Sequence, residues 1–302
     1  MIKVLITTST FNHNNLNRLL KKKKFKVILN KTGKKVNENF LKKNIKDVDS
    51  IIAGTEIYSV KILKKAFKLQ SIHRIGTGVD NIDLNYCKKN NIKVTISKTD
   101  LSIGVAEHSV GLIYSAIKKI TYFNNLIKKN KWIKQRTNIL SFKKIGVIGF
   151  GKIGKKIYRL LKPLNLSFYY NDKNKSKYSD VKFKSIKEIF KICDVVTIHL
   201  PLNKSTHHII NKKVLSKSNS KIILINTSRG EVIKETDLVK FLYKNKKSIA
   251  ALDVFENEPY SGKLKNLPNT ILTPHVSGYA EENRNSMENE AINNIIKEFS
   301  EK

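Results

Sequence analysis

The feature that most constrains the fold is an alternation of short apolar runs with amphipathic stretches along the whole chain. This alternation is typical of βα units, in which helices cover the strands of a parallel sheet. The series occurs twice, which predicts two α/β domains. The candidate strands are Lys3–Thr7, Phe25–Leu29, Ser50–Ala53, Ser71–Ile75 and Lys93–Ile96, and then Lys144–Ile148, Ser167–Tyr170, Val195–His199, Lys221–Asn226, Ser248–Ala251 and Thr270–Leu272.

The two series are separated by a long apolar-striped segment, Ile103–Lys119, which predicts a helix that bridges the domains. A final helix over Glu281–Phe299 follows the last strand and is expected to return to the first domain. We therefore predict one domain over 1–100 plus 281–302 and another over 101–280. Both are expected to be Rossmann/flavodoxin-like parallel-sheet domains, with the active-site cleft between them.

The chain is strongly basic, with 59 Lys+Arg against 24 Asp+Glu and a formal net charge of +35. Six of the basic residues are arginines, and the lysines are spread from end to end. Proteins that read nucleic acid use arginine for bidentate contacts and cluster their charge. The charge is therefore interpreted as compositional, and no nucleic-acid partner is predicted.

Several other classes of protein are also disfavoured. The sequence contains no apolar stretch of about 20 residues that would span a membrane. The N-terminus resembles a first strand more than a signal peptide. Cys87 and Cys193 are too few for a disulfide framework and lack ligand-like spacing, so no metal site is expected. We predict a cytoplasmic enzyme without a membrane partner.

A glycine motif, Gly149-Phe-Gly151-Lys-Ile-Gly154, lies between the candidate strand Lys144–Ile148 and a helical pattern over Lys155–Leu161. That strand–turn–helix setting is the one in which the motif binds a dinucleotide pyrophosphate. The next strand is followed by Asp172, whose carboxylate would accept hydrogen bonds from a ribose and repel a 2′-phosphate. The sequence therefore predicts NAD in preference to NADP.

Polar side chains follow three further candidate strands: Arg229, Glu258 and His275. A guanidinium can hold a substrate carboxylate bidentately and polarise the adjacent carbonyl. An imidazole titrates near neutral pH, and a nearby carboxylate orients it and favours imidazolium. Each residue alone is more often structural, but their joint placement after a dinucleotide motif predicts hydride chemistry on a 2-hydroxy acid.

These motifs in their order resemble the D-isomer-specific 2-hydroxyacid dehydrogenase family, nearest its D-3-phosphoglycerate dehydrogenase-like branch. The resemblance covers essentially the whole chain. The motifs that carry it are Arg74–Asp83, Val105–His108, Gly149–Gly154, His199–Leu202 with Thr206, Asn226–Gly230, Asp253–Pro259 and Thr273–Gly278.

The resemblance implies a role for each matching residue. Arg229 would bind the substrate carboxylate and keto oxygen, Glu258 would pair with His275, and His275 would transfer the proton. Thr55, Thr77 and Gly78 would contact the substrate, the last two through backbone amides. The cofactor would be held by Gly149, Gly151, Lys152, Ile153, Gly154, Asp172, Pro201, Thr206, Thr227, Ser228, Asp253, Ser277 and Gly278. Relatives are commonly homodimers, in which an arm corresponding to Tyr122–Leu140 takes part.

The chain departs from the phosphoglycerate-oxidising relatives in the loop Ala53-Gly-Thr-Glu56. Many of those relatives carry an arginine–serine pair there to hold anionic groups. The arginine is missing here, and an inward-pointing Glu56 would oppose a phosphate. The substrate therefore stays open between 3-phosphoglycerate and the acids of a glyoxylate/hydroxypyruvate reductase, or a sugar-derived acid.

Three alternatives of other kinds are considered. A formate dehydrogenase of the same superfamily typically has glutamine in place of Glu258, so Glu258 argues against it. An NAD-sensing corepressor-like binding protein on the same fold would fit the basic charge, but the Arg229, Glu258 and His275 set shows no sign of lost catalysis. The third is a dinucleotide-binding enzyme of unrelated chemistry, since fold does not imply function.

Overall fold

The computed structural model describes residues 1–174, 176 and 178–300, and the chain divides into two compact units. One unit contains Met1–Asp100 and the chain from Ala280 onward, and the other contains Leu101–Tyr279. Each is built on a parallel sheet, which confirms the prediction of two α/β domains. No helix within the described ranges is long and apolar enough to cross a membrane.

The first unit is a five-stranded parallel sheet in the flavodoxin-like order β2-β1-β3-β4-β5. Its strands are β1 (Ile2–Ile6), β2 (Phe25–Leu29), β3 (Ser50–Ala53), β4 (Ser71–Arg74) and β5 (Lys93–Ile96). Its helices before the crossing to the second unit are α1 (His13–Leu20), α2 (Glu38–Asn44), α3 (Val60–Leu63) and α4 (Leu84–Lys89). β3 is buried along its whole length, as expected for a strand covered on both faces.

The C-terminal helix Glu281–Ser300 belongs to this first unit and packs against α1 and β4. Within this helix, Arg284 and Glu288 form a buried ion pair, with Arg284 Nη2 2.9 Å from Glu288 Oε1. The second oxygen of Glu288 accepts the backbone N–H of Asn12 at 2.9 Å. The helix is thereby fastened to the loop that precedes α1.

The second unit is a seven-stranded parallel sheet in the order β12-β11-β10-β9-β6-β7-β8. After β6, the strands β7 and β8 are added on one side of it and the strands β9 to β12 on the other. β6 is therefore the topological switch point of a Rossmann fold. The strands are β6 (Lys144–Ile148), β7 (Ser167–Asn171), β8 (Val181–Phe183), β9 (Val195–Ile198), β10 (Ile223–Asn226), β11 (Ile249–Leu252) and β12 (Thr270–Leu272).

Helices cover both faces of this sheet, and two separate apolar clusters fill the space beneath them. The helices are α5 (Ser102–Ile117), α6 (Ile120–Ile127), α7 (Lys152–Leu161), α8 (Ile186–Ile192), α9 (Lys212–Leu215) and α10 (Glu235–Lys244). Short 3₁₀ turns occur at Leu140–Phe142, Lys162–Leu164, Gly230–Val232 and Lys263–Asn266. α5 packs against α7, β10 and β11.

The structure differs from the expected elements in four places. The predicted helix Ile103–Lys119 ends at Ile117, and Lys119 adopts a left-handed conformation (φ 54°) from which α6 begins. α7 begins at Lys152 and includes Gly154, because the third glycine packs inside the first helical turn. The predicted strand Lys221–Asn226 begins only at Ile223. β8 was not predicted, since its three residues bury Val181 alone and show no periodicity.

Candidate functional site

The residues predicted to bind the cofactor and to act on the substrate from the second unit follow the carboxyl ends of its strands. These strands all belong to one parallel sheet: β6, β7, β9, β10, β11 and β12. Their carboxyl ends therefore share one edge, which is where ligands bind in open α/β sheets. The residues lie far apart in the sequence and are brought to this edge by strand pairing.

The glycine turn after β6 is shaped by two close backbone approaches. Gly149 has φ +90°, and a Cβ there would lie closer than 3.0 Å to the carbonyl of His199. A Cβ on Gly154 would lie 2.5 Å from the carbonyl oxygen of Gly149. By contrast, a Cβ on Gly151 would meet no atom of the described residues within 4 Å. The first and third glycines are thus required by packing, and the second leaves open space at the start of α7.

This turn fits a dinucleotide pyrophosphate. Lys152 and Ile153 occupy the first turn of α7, where backbone N–H groups lack intrahelical partners and attract anions. Asp172, just after β7, accepts the N–H of Phe150 at 2.7 Å through Oδ2 and that of Asn174 at 2.9 Å through Oδ1. Each carboxylate oxygen keeps a second lone-pair site for a ribose hydroxyl.

The loop after β9 contains Pro201 and Thr206, both predicted to hold the cofactor. The Thr206 hydroxyl donates to the carbonyl of Pro201 at 2.6 Å and accepts the N–H of Asn203 at 2.8 Å. Thr206 is buried. Its side chain therefore holds the loop closed, and any contact with a cofactor would come from the loop that it shapes.

The turn after β10 carries Arg229 and is braced by Asn226, whose role sequence reasoning missed. Asn226 Oδ1 accepts the N–H and the hydroxyl of Ser228, at 3.0 and 2.8 Å. Asn226 Nδ2 donates to the carbonyl of Arg229 at 2.9 Å. A polar residue at the end of the apolar run Ile222–Ile225 was the available signal.

Two neighbours fix this turn against the rest of the unit. The hydroxyl of Thr227 is hydrogen bonded to that of Ser109 on α5 at 2.9 Å. A Cβ on Gly230 would lie closer than 3.0 Å to the carbonyl of Phe255 and to the backbone nitrogen of Glu256. The backbone beside Arg229 thus rests directly on the loop that follows β11.

That loop supplies the acid of a histidine–carboxylate pair. His275 Nδ1 lies 2.8 Å from Glu258 Oε2. The other oxygen, Oε1, accepts the N–H of Phe255 at 3.1 Å, so the carboxylate is held from both sides. The side chains of His275 and Glu258 are 36% and 26% exposed. With Nδ1 bonded to the acid, Nε2 is the ring nitrogen that can exchange a proton with a ligand.

The backbone around His275 is organised by Asp253, which is fully buried. Its Oδ1 accepts the Thr273 hydroxyl at 2.5 Å and the N–H of Val276 at 2.9 Å, and its Oδ2 accepts the N–H of Ser277 at 2.8 Å. His275 itself has φ +55°. The Asp253 carboxylate, predicted to hold the cofactor, is therefore engaged in holding the histidine turn.

His108 on α5 joins this network and was given no role from the sequence. Its Nε2 lies 3.2 Å from the Thr273 hydroxyl and 3.7 Å from Asp253 Oδ1. Its place in the motif Val105–His108 was the available signal. At the other end of the turn, a Cβ on Gly278 would make ordinary contact with Leu101 at 3.5 Å, so that glycine is not required by packing.

The predicted substrate contacts of the first unit lie after two paired strands. Thr55 follows β3 and Thr77 follows β4, and the strands are in register with Ala53 opposite Arg74. Both threonines are exposed. Gly76 has φ +147°, and a Cβ there would lie 2.5 Å from the Arg74 guanidinium. The Arg74 guanidinium therefore lies directly beside the turn that leads to Gly78.

Glu56 in the same unit points inward. It is 2% exposed, and its Oε2 accepts the Thr7 hydroxyl at 2.9 Å. Thr7 Oγ1 is also hydrogen bonded to the Tyr58 hydroxyl at 2.8 Å. Burial raises the pKa of the Glu56 carboxyl, partly offset by hydrogen bonds. A Cβ on Gly54 would lie 2.7 Å from Glu56 Oε2, so the loop has no space there for a larger side chain.

No group of three or more His, Cys, Asp or Glu side chains with the geometry of a metal site occurs among the described residues. The glycine turn with Asp172, in contrast, offers open space, helix N-terminal amides and a ribose acceptor together. The residues present therefore fit a dinucleotide cofactor.

Comparison with known proteins agrees with this geometry. The family described as D-isomer specific 2-hydroxyacid dehydrogenase, NAD binding domain, matches residues 110–277. A hydroxypyruvate reductase from Thermotoga maritima is 30% identical over 298 residues, 94% of this chain and 97% of that protein. A D-3-phosphoglycerate dehydrogenase from Methanocaldococcus jannaschii is 34% identical over 255 residues, 81% of this chain and 48% of that protein.

A solved structure shows the same fold. It is that of a D-lactate dehydrogenase from Aquifex aeolicus complexed with NAD and lactic acid, at a TM-score of 0.82 and 26% identity over 99% of this chain and 95% of that one. The predicted family, reaction class and cofactor are thereby confirmed. The chain belongs to the D-isomer-specific 2-hydroxyacid dehydrogenases, NAD-dependent oxidoreductases that act on the CH–OH group of their donors.

Proposed function

We propose that this enzyme interconverts a small D-2-hydroxy acid and its 2-keto acid, with His275 as acid/base, Glu258 as its partner and Arg229 as the carboxylate clamp. The observation that carries the proposal is the 2.8 Å bond between His275 Nδ1 and Glu258 Oε2. Bound NAD supplies the hydride acceptor, and NADH the donor. The protein must then hold the substrate and move one proton.

Proton transfer falls to Nε2 of His275. In the direction of reduction, an imidazolium donates this proton to the oxygen that becomes the hydroxyl, and in oxidation the neutral ring accepts it. Glu258 stabilises the imidazolium and holds the ring plane, and the Phe255 N–H fixes Glu258 in turn. Such a positioned acid/base contributes about 10²–10⁴ in rate.

Substrate orientation falls to Arg229. A guanidinium presents parallel N–H donors that match a carboxylate, and one of them also polarises the neighbouring keto oxygen. Asn226 holds the Arg229 backbone, which reduces the freedom that binding must remove. From the first unit, we propose that Thr55 contacts the substrate and that Thr77 and Gly78 offer it backbone amides.

The proposed cofactor contacts follow the geometry of the strand ends. Lys152 and Ile153 would face the pyrophosphate at the open side of Gly151, and Asp172 would accept the ribose hydroxyls. The remaining proposed contacts are Gly149, Gly154, Pro201, Thr206, Thr227, Ser228, Asp253, Ser277 and Gly278. Of these, Thr206 and Asp253 would act mainly through the loops that they hold.

For the substrate, we propose an unphosphorylated 2-keto acid such as hydroxypyruvate or glyoxylate. Gly54 and the buried Glu56 occupy the loop where an arginine would hold a phosphate, and the space beside Gly54 is filled by the Glu56 carboxyl. A relative identical at 30% over nearly its whole length is named hydroxypyruvate reductase.

A second candidate is phosphohydroxypyruvate, the keto acid of D-3-phosphoglycerate. The Arg74 guanidinium beside the Gly76 turn is a cation that a phosphate could use, and a relative of that activity is 34% identical. NADH oxidation is measured with hydroxypyruvate, glyoxylate, pyruvate and phosphohydroxypyruvate. We expect the highest kcat/KM with one of the first two. A higher value with phosphohydroxypyruvate, lost in Arg74→Gln, would establish the second candidate instead.

The same screen tests the reaction class. Binding of NADH without oxidation by any 2-keto acid would contradict the proposed activity and favour the NAD-sensing alternative. Arg229→Lys is the matched variant, because lysine keeps the charge and loses the bidentate geometry. We expect it to raise KM for the keto acid while NADH affinity stays within about twofold.

We also propose that two copies associate through α6 and the segment after it. Large apolar side chains are exposed there, among them Ile127 at 53%, Trp132 at 81% and Phe142 at 80%. Such a concentration is typical of a protein interface. Light scattering should give the mass of a dimer, and Trp132→Glu should shift it toward the monomer.

The cytoplasmic location stays a prediction.

A further inference from the structure

The turn that carries Arg229 and the loop that carries Glu258 touch at a single peptide group. Gly230 packs against the Phe255–Glu256 peptide so closely that a Cβ would come within 3.0 Å of three of its atoms. On one side of that peptide, the Phe255 N–H is bound by Glu258. Any shift of the peptide would therefore move the acid and the arginine turn relative to one another.

The other side of the peptide is held by Glu256, a residue outside the set described above. Its Oε1 accepts the N–H of Glu235, the first residue of α10, at 3.0 Å. The same oxygen lies 2.8 Å from His208 Nε2. The two side chains are 23% and 31% exposed, so water screens this pair less than it would a surface pair.

His208 is also bound to the segment that follows Arg229. Its backbone is left-handed (φ 52°), and its N–H donates to the carbonyl of Glu231 at 2.8 Å. Two residues later, the N–H of Ile210 donates to the carbonyl of Val232 at 3.1 Å. His208 thus contacts the arginine segment through its backbone and the Glu258 loop through its side chain.

We propose that His208 and Glu256 are a positioning pair that keeps the Arg229 turn and the Glu258 loop in one relative arrangement. The inference rests on the proposed function, in which Arg229 clamps the carboxylate while His275 and Glu258 move the proton. Both tasks act on one small molecule, so a displacement of about 1 Å between the loops can cost on the order of 10² in rate. Neither residue of the pair is among the proposed substrate or cofactor contacts.

A second acidic side chain, that of Glu235, lies close to Glu256. Glu235 lies on its other side and hydrogen bonds the Tyr260 hydroxyl at 2.9 Å. Burial, together with the charge of Glu256, raises the pKa of Glu235. Glu256 Oε1 in turn has two close partners, the Glu235 N–H at 3.0 Å and His208 Nε2 at 2.8 Å.

The test compares His208→Ala and Glu256→Ala with their conservative forms, His208→Gln and Glu256→Gln. Glutamine at 208 keeps an N–H donor, and glutamine at 256 keeps an oxygen acceptor. We expect each alanine variant to lower kcat/KM for the keto acid about tenfold, and each glutamine variant to restore most of it. NADH affinity, measured by fluorescence, should stay within about twofold because neither His208 nor Glu256 is among the proposed cofactor contacts.

The double variant and a neighbouring histidine sharpen the test. If the residues act as a pair, His208→Ala with Glu256→Ala should be no worse than the poorer single variant. His207→Ala serves as the matched control, since His207 is exposed, stacks on His208 at 3.8 Å between ring centroids and is expected to keep wild-type activity. Unchanged kcat/KM in both alanine variants, or a parallel loss of NADH affinity, would overturn the proposal.

Amide hydrogen exchange separates this inference from the proposed function, since it needs no turnover. In His208→Ala, exchange should quicken in residues 229–233 and 254–258 and stay unchanged in 149–154. An inactive wild-type protein would contradict the proposed function, and the exchange data would then decide alone whether the pair holds the two loops. Unchanged exchange in both segments would overturn the pair.

Discussion

Each of the two units carries a histidine and a glutamate near the ends of its strands, and their surroundings are opposite. In the unit Leu101–Tyr279, His275 and Glu258 are bonded to each other and partly exposed. In the other unit, His73 is 1% exposed and hydrogen bonded to Thr95, and Glu56 is 2% exposed and bonded to Thr7.

The difference shows that burial and partners, more than residue type, decide what an ionisable group does. Burial lowers the pKa of His73 to about 4 and raises that of Glu56, so both neutral forms are favoured. His275 is instead partly exposed and bonded to a carboxylate through Nδ1, which leaves Nε2 for the proton transfer proposed above. His73 and Glu56 therefore belong to the buried interior of their unit, whereas His275 and Glu258 fit the acid/base role proposed above.

The largest expected effect tests the exposed pair directly. His275→Ala should lower kcat by about 10²–10⁴, because the positioned proton donor is lost. Steady-state NADH oxidation measures this, with His73→Gln as the comparison from the other unit. We expect the folded His73 variant to keep kcat within about twofold. Equal losses of kcat in the two variants would contradict the distinction drawn between His275 and His73.

The second prediction concerns the buried histidine. The unfolded chain binds a proton near pH 6.5, and folded His73 binds one near pH 4, so acidification between these values favours unfolding. Glu298 Oε2 lies 3.6 Å from His73 Nε2, but burial and Lys93 outweigh it. Wild-type stability should fall on the order of 3 kcal/mol from pH 6.5 to 4 through this group.

Urea unfolding of wild type and His73→Gln across that pH range isolates the contribution of His73 to the free energy of unfolding. The variant should lose less stability on acidification than the wild type, and the two curves should run parallel above pH 6.5. Parallel curves below pH 6.5 as well would mean that His73 is not a neutral buried group.

The third prediction concerns Gly230, which packs against the loop that carries Glu258, and it leaves Glu258 and His275 unchanged. Gly230→Ala forces a methyl group into the Phe255 carbonyl, which should destabilise the fold by about 1–3 kcal/mol and lower kcat/KM roughly tenfold or more. Thermal unfolding and keto-acid kinetics measure the two effects. Gly111→Ala is the matched control: no described atom lies within 4 Å of its Cβ, and alanine is the better helix former.

The fourth prediction concerns cofactor choice in the same unit. Asp172→Ala removes an acceptor for the ribose hydroxyls and a negative charge that opposes a 2′-phosphate. The ratio of kcat/KM for NADH over NADPH should fall about tenfold, since hydrogen bonds to charged groups contribute about 1.5–3 kcal/mol. An unchanged ratio would mean that the ribose is held elsewhere.

The smallest effect is expected for Glu56. Its folded pKa is raised, so the folded state holds the proton more tightly, and its contribution to stability is lost as the pH rises above 4.5 toward the folded value. Glu56→Gln keeps the hydrogen-bonding shape and removes this loss. The variant should gain stability relative to wild type as the pH rises through that window; a constant difference would contradict the raised pKa of Glu56.

Much of the fold could be predicted because it follows from local patterns. Strands covered on both faces, such as β3 and β6, appear in the sequence as apolar runs. The glycines at 149 and 154 are predictable as well, because close backbone contacts leave no space for a side chain there. β8 escaped prediction because a three-residue edge strand that buries one side chain leaves no periodic signal.

Less of the site could be predicted, because side-chain networks depend on distant partners. Asn226 and His108 have ordinary local surroundings in the sequence, yet one braces the Arg229 turn and the other reaches the Asp253 network. Asp253 was expected beside the cofactor, and its carboxylate is engaged by the turn that holds His275. The partners of such polar side chains are determined only when the strands lie side by side in the folded sheet.

The sequence by itself determined the alternation of strands and helices, the glycine turn and the residue types available for chemistry, because size, polarity and spacing are local properties of a chain. The tertiary structure decided which acid meets which histidine: Glu258 and His275 are 17 residues apart and are joined because β11 and β12 are neighbours. It also decided that Glu56 is buried. Pairing and burial depend on contacts between distant segments, and these exist only once the sheets have formed.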